Sequence, residues 1–181
     1  MTRMAVVLAM ALSLGPVPIG IASPVPPITT PPLELPVPLV RQTRERCGQA
    51  ALEMVLRYYA AASAALREGE LAYDPTLRGS LITDLAAAAR RAGFDAEVVA
   101  LSADSLVAAL VAGVPPILLY QNGRAPLTVP HFGVVTRWDA ARDEFTLNDG
   151  RATPRVMSRD ELTKRWRTAG SRALLVRRRL P

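Results

Sequence analysis

Gln42-Thr43-Arg44-Glu45-Arg46-Cys47-Gly48-Gln49-Ala50-Ala51-Leu52 carries the only cysteine of a 181-residue chain. Cys47 falls at the first turn of a predicted helix. Leu52, Val55, Leu56 and Tyr59 recur at helical spacing behind it, giving one buried face through about Ala61. A helix start presents unpaired amides and the positive end of the backbone dipole, and both favour a thiolate over a thiol of ordinary pKa about 8.5. Gly48 leaves the sulfur open to an approaching group. The same amides, that of Cys47 included, can hold the oxyanion of a tetrahedral intermediate.

A thiolate needs a partner, and the chain has one histidine. His131 opens the apolar run His131-Phe132-Gly133-Val134-Val135, a predicted strand that follows a polar loop from Gln121 to Pro130. There it can serve as a general base and, when protonated, hold the thiolate. A second strand, Glu144 to Asn148, is joined to the first by a hairpin through Asp139 to Asp143 and leads into Asp149. Alternation puts Asp149 on the side of Phe145 and Leu147 and turns Asn148 the other way. Asp149 is therefore preferred over Asn148 as the residue that orients the imidazole, although Asp-Gly is also a common turn pair.

Working outward, Ala62 to Gly79 is alanine-rich and then turn-like at Tyr73-Asp74-Pro75. Ser80 is a predicted N-cap for a helix through Ala92, which Gly93 stops. Phe94 to Ala100 is a predicted strand, and Ser102 caps a short helix that ends at Gly113. A buried strand covers Pro115 to Tyr120, with its prolines at the start where they are tolerated. Ser158-Arg159-Asp160-Glu161 is a capping box for a helix through about Thr168, and Ala173 to Arg177 is a last strand. Helices gather in the first half and antiparallel strands in the second, an α+β layout.

The N-terminal residues have a different character. Met1-Thr2-Arg3-Met4 is a short positive start, Ala5 to Leu14 is an apolar run, and Gly20 and Ala22 offer a cleavage site before Ser23. That is the pattern of an export signal over residues 1–22. Pro16 and Pro18 interrupt the run, which argues against a stable membrane span, and no nearby cysteine is available for lipid attachment. Ser23 to Leu39 carries seven prolines and almost no charge. This stretch is expected to be a linker or a strap along the domain, with the linker placed at 23–37 and the domain at 38–181.

Composition narrows the chemistry. The formal charge of +6 is almost all arginine, Lys164 being the only lysine, and the arginines are scattered with few aromatics between them. A solvated basic surface accounts for this without specific nucleic-acid binding. One cysteine and one histidine do not make a closed zinc site, and no glycine-rich phosphate loop or serine elbow is present. No metal or organic cofactor is expected. A lone cysteine in an exported protein has no internal disulfide partner.

These residues resemble the papain-like peptidases related to bacteriocin-processing, double-glycine leader peptidases. Members carry a glutamine, a short polar stretch and then Cys-Gly-Pro-Ala-Ala-Leu opening a helix; here the residues are Gln42 and Cys47-Gly48-Gln49-Ala50-Ala51-Leu52. Their His-Tyr-Val-Val-Val strand is matched by His131 to Val135. Their Asp-Pro, followed by a serine-capped, tryptophan-containing helix, is matched by Asp149-Gly150 and Ser158 to Trp166. The resemblance runs from about Pro38 to the C-terminus and is nearest the stand-alone exported branch, which shares Gly79-Ser80-Leu81 before an Ala86 to Arg91 type of helix.

The resemblance implies a papain-like fold, with a helical half carrying Cys47 and an antiparallel sheet carrying His131 and Asp149. It implies peptide hydrolysis by Cys47, His131 and Asp149, with the Gln42 side-chain amide as a second oxyanion donor. Gln49 and Gly150 stand where the family has proline. The partner expected is a peptide or protein substrate. Two alternatives use the same fold: a peptide-binding module without turnover, and a cell-wall amidase or transpeptidase. Arg46-Cys47-Gly48 lacks the Asp-Cys-Ser pattern usual in the latter.

Overall fold

The computed structural model describes residues 31–179, so the predicted signal at 1–22 lies outside the described residues. A seven-stranded, wholly antiparallel sheet runs in the order β2-β7-β3-β4-β5-β6, with β1 pairing separately on β4. The strands are β1 (Leu33–Glu34), β2 (Phe94–Ala100), β3 (Ile117–Arg124), β4 (Leu127–Asp139), β5 (Glu144–Asn148), β6 (Arg155–Ser158) and β7 (Arg172–Arg178). The helices are α1 (Cys47–Tyr58), α2 (Ser63–Glu70), α3 (Ile82–Arg91), α4 (Ala103–Val111) and α5 (Arg159–Arg167).

The sheet has a hydrophobic core on each face. On one, Leu52, Val55 and Leu56 of α1 and Leu85 and Ala89 of α3 meet Ile117, Phe132, Val134, Leu174 and Val176. On the other, Leu106 and Leu110 of α4 and Leu162 and Trp166 of α5 meet Leu118, Val135, Phe145, Leu147 and Ala173. Central strands covered on both faces are apolar at successive positions, which is why Ala173 to Val176 has no polar alternation. Trp166 is fully buried and donates its indole N–H to the Arg172 carbonyl at 2.8 Å, locking α5 to β7.

Two predicted caps are in place. The side chain of Ser102 accepts from the Ser105 amide at the start of α4, and that of Ser158 accepts from the Glu161 amide at the start of α5. Ser80 is different: α3 begins one turn position later, after Leu81, with no side-chain cap, and the Ser80 hydroxyl accepts from Gln49 Nε2 at 2.9 Å. The alanine-rich segment after α1 is helix α2, and the predicted loop from Gln121 to Pro130 is a continuation of the β3–β4 hairpin, in which Gln121 pairs with Pro130.

The proline-rich segment is a strap where it is described. Leu33 and Glu34 pair with Trp138 and Arg137, the Leu35 amide donates to the Thr136 carbonyl at 2.8 Å, and Val37 is buried in the α1-side core. Asn148 Nδ2 donates to the Val37 carbonyl at 3.1 Å across 111 residues of sequence. The folded unit thus starts several residues before position 38. Among the described residues no helix is long and apolar enough to cross a membrane.

Candidate active site

The site lies where the start of α1 meets β4 and the end of β5. Residue Glu45, two before Cys47, has a left-handed backbone (φ 65°), and its carboxylate is held by Arg78 and by the Tyr73 hydroxyl. Arg46 takes the N-cap position without a side-chain cap, and the first turn of α1 holds no acidic residue. The opening amides of the helix are therefore left free of side-chain acceptors, and their partial positive charge is available to the sulfur and to a developing oxyanion.

Cys47 faces His131, and each group shifts the titration of the other. Burial pushes the Cys47 thiol up. The hydrogen bond and charge of His131 and the backbone amides of Phe132 and Gly48 pull it down, and the net result lies below its ordinary value. For His131, burial acts downward; its hydrogen bond and charge interaction with Cys47, followed by the contact with Asp149, raise it above its ordinary value. Opposite shifts of this kind favour a thiolate–imidazolium pair.

The other ring nitrogen of His131 is held by a backbone group. His131 Nε2 is 2.9 Å from the Asp149 carbonyl oxygen. A carbonyl only accepts, so Nε2 carries the proton and Nδ1 is left for the thiol. The Asp149 side chain is engaged elsewhere: Oδ2 accepts from the Tyr120 hydroxyl at 3.1 Å and lies 3.3 Å from Arg151 Nε and 3.2 Å from Arg155 Nε. The carboxylate is wholly buried, and Oδ1 has no partner among the described residues. Asp149 thus meets His131 through its main chain rather than through the carboxylate expected to orient the imidazole. Asn148 points to the opposite face and binds the strap.

Tyr120 and Gly133 escaped sequence reasoning. Tyr120 is fully buried, sits edge-on to the His131 ring at 5.7 Å between centroids, and has its phenol pKa raised by burial and by Asp149. Gly133 makes room for it: a Cβ there would lie 3.2 Å from Tyr120 Cε1 and 3.5 Å from Asp149 Cβ. A glycine inside an apolar strand is a recognisable sign of such close approach.

Gln42 is half-buried against the turn that follows Asp149. Its main-chain N–H donates to the Gly150 carbonyl at 3.0 Å, and its side-chain Oε1 is buried with no partner among the described residues. All four predicted residues, Gln42, Cys47, His131 and Asp149, are thereby gathered in one region from three separate stretches of chain. A small cavity of about 110 Å³ lies behind Gln42, lined also by Gln49, Arg46 and Glu70.

The family model of the peptidase C39 family matches residues 36–179. The chain belongs to that family. This C39 member is accordingly a cysteine peptidase, and its mixed helix and antiparallel-sheet architecture is that of papain-like enzymes. Solved structures agree on the fold. A double glycine motif protease from an AMS/PCAT transporter, in complex with the leader peptide, is 21% identical with a TM-score of 0.62, the match covering 81% of this chain and 94% of that one. The peptidase domain of Streptococcus ComA, a bi-functional ABC transporter of a quorum sensing pathway, is 20% identical with a TM-score of 0.62, covering 79% and 99%. The N-terminal C39-like domain of a toxin secretion ATP-binding protein from Vibrio parahaemolyticus is 18% identical with a TM-score of 0.53, covering 76% and 100%. A search of curated proteins gives no match.

Proposed function

We propose that this C39 peptidase is an exported enzyme that cleaves peptide bonds with Cys47 as nucleophile, His131 as general base and acid, Asp149 as the residue that orients the imidazole, and Gln42 as an oxyanion donor. The arrangement that carries the proposal is Cys47 at an uncapped helix start beside His131, whose Nε2 is held by the Asp149 carbonyl; the opposite titration shifts of the two groups accord with it. A thiolate stabilised by imidazolium attacks the scissile carbonyl carbon. The electron pair of the carbonyl moves to its oxygen, which takes up hydrogen bonds from the Cys47 amide and the Gln42 side-chain amide. Collapse of this intermediate expels the amine, which takes its proton from His131 Nδ1. Water, deprotonated by the now neutral His131, then hydrolyses the thioester and restores the thiol.

Asp149 contributes in this scheme through its carbonyl, which holds the Nε2–H of His131, while Tyr120, Arg151 and Arg155 keep its side chain in place. A peptide substrate is supported by the relative solved in complex with a leader peptide. Export is supported by the sequence pattern of residues 1–22 alone.

The test is cleavage of a quenched-fluorescent peptide library by the folded protein and by Cys47→Ala. Turnover by the parent and its loss in Cys47→Ala are expected. A folded parent that cleaves nothing, with a thiol that alkylates no faster than a free cysteine at pH 7, would overturn the proposal in favour of a peptide-binding module.

A further inference from the structure

Gly150 follows directly on Asp149 and stands at φ +79°, in the left-handed region that favours glycine. Space is a second constraint. A Cβ at this position would lie 2.7 Å from Gln42 Oε1, and 2.8 Å from both Gln42 Cβ and Gln42 Cγ. No contact of that length is sterically permitted, so the bare α-carbon of Gly150 is the surface on which the Gln42 side chain rests. The Gly150 carbonyl also accepts the Gln42 amide N–H at 3.0 Å. One residue earlier, the Asp149 carbonyl accepts from His131.

Gln42 needs such a seat. Among the described residues its Oε1 is buried without a hydrogen-bond partner, so no bond to that oxygen fixes the carboxamide, which lies against Gly150. We propose that Gly150 is a positioning residue for the oxyanion donor, and that the Asp149–Gly150 segment couples that donor to the general base, its two consecutive carbonyls accepting from His131 and from the Gln42 main-chain N–H. The inference rests on Gln42 being the oxyanion donor, and adds that a position outside the reacting groups decides whether Gln42 can act.

Two probes of the same thiol test it. Acetylation of Cys47 by p-nitrophenyl acetate passes through an oxyanion, whereas alkylation by iodoacetamide does not. Gly150→Ala and Gly150→Asn both add a Cβ, and asparagine tolerates the left-handed backbone better, which separates the contact from backbone strain. Both variants are expected to lose acetylation rate by about 100-fold, the scale of one oxyanion donor, while the rate and pH profile of iodoacetamide alkylation stay at those of the parent. In a Gln42→Ala background, adding either substitution should cost nothing further.

The inference is overturned if Gly150→Asn acetylates at the parent rate. It is overturned equally if both probes fall in proportion, or if the Gly150 and Gln42 losses multiply. A Gln42→Ala variant with undiminished acetylation removes the oxyanion reading itself and, with it, this inference. Should Gly150→Ala fail to fold, Gly150→Asn is compared with and without Gln42→Gly by thermal melting: a higher melting temperature in the double variant supports the contact, and no gain refutes it.

Discussion

His131 Nε2 is bound at 2.9 Å by the main-chain oxygen of Asp149, while the Asp149 carboxylate faces Tyr120, Arg151 and Arg155. The orienting bond therefore survives any replacement that leaves the backbone in place. Where a carboxylate itself binds the imidazole, converting it to the amide costs about 10⁴ in kcat. Asp149→Asn is expected to cost only about tenfold here, the equivalent of roughly 1.4 kcal/mol of lost charge interaction with the imidazolium. Steady-state kinetics on a cleaved peptide will show the difference. A 10⁴ loss in a folded variant would mean that the carboxylate turns to the ring during turnover.

The pH dependence follows from the directions of the two shifts. Cys47 is held below its ordinary value and His131 above its own, shifts that favour the reactive ion pair. kcat/KM should rise as pH passes the lowered Cys47 value and fall as it passes the raised His131 value, the two limbs belonging to the pair rather than to either residue. The stability contributions run the same way: that of Cys47 is lost as pH falls, that of His131 as pH rises. In His131→Ala burial is left to dominate, and the alkylation midpoint of Cys47 should move above its ordinary value. A midpoint unchanged by the substitution would refute the pairing.

Asn148 tests the strap. Its Nδ2 is the buried link to the Val37 carbonyl, and Asn148→Ala leaves that carbonyl without this donor. The expected cost is about 1–3 kcal/mol in denaturant unfolding. The pH profile of Cys47 alkylation should be unaffected, because Asp149 is gripped from the opposite face of the sheet.

Gln49 occupies the family's proline position and donates to Ser80 while its Oε1 is buried without a partner among the described residues. Removing both partners together abolishes the unmet group along with the bond. Gln49→Pro combined with Ser80→Ala should therefore change stability by no more than about 1 kcal/mol, whereas Ser80→Ala alone should destabilise by about 1–3 kcal/mol. Proline is compatible with the first turn of α1, whose amides lack helical acceptors. Thermal melts of the three proteins check the ordering.

The parts of this site that were legible in the sequence are those written in side-chain identity and period. Cys47 on a helix start, His131 on an apolar strand, and the alternation that turns the Asn148 and Asp149 side chains to opposite sides could be read because helical and strand spacing are local properties. Ser102 and Ser158 could be read as caps for the same reason. Helix α2 was hidden because Ala62 provides no side-chain cap and Ser63 to Glu70 buries only Gly69. The hairpin through Pro126 and Pro130 was hidden because its strands are stabilised by pairing with each other against local preference. Ser80 was misread as a cap because a distant residue, Gln49, takes its hydroxyl. The main-chain bond from Asp149 has no signature in side-chain identity.

The carbonyl clasp on His131 also fixes a tautomer. An acceptor with no proton of its own keeps hydrogen on Nε2 whenever the ring is neutral. His131 is the chain's sole histidine, so selective isotope labelling of histidine places one imidazole spin system in the whole protein, and it reports the protonation of the working base without assignment or mutagenesis. The catalytic cycle can thus be followed through a single resonance, from resting enzyme to acyl-enzyme, in the unmodified chain.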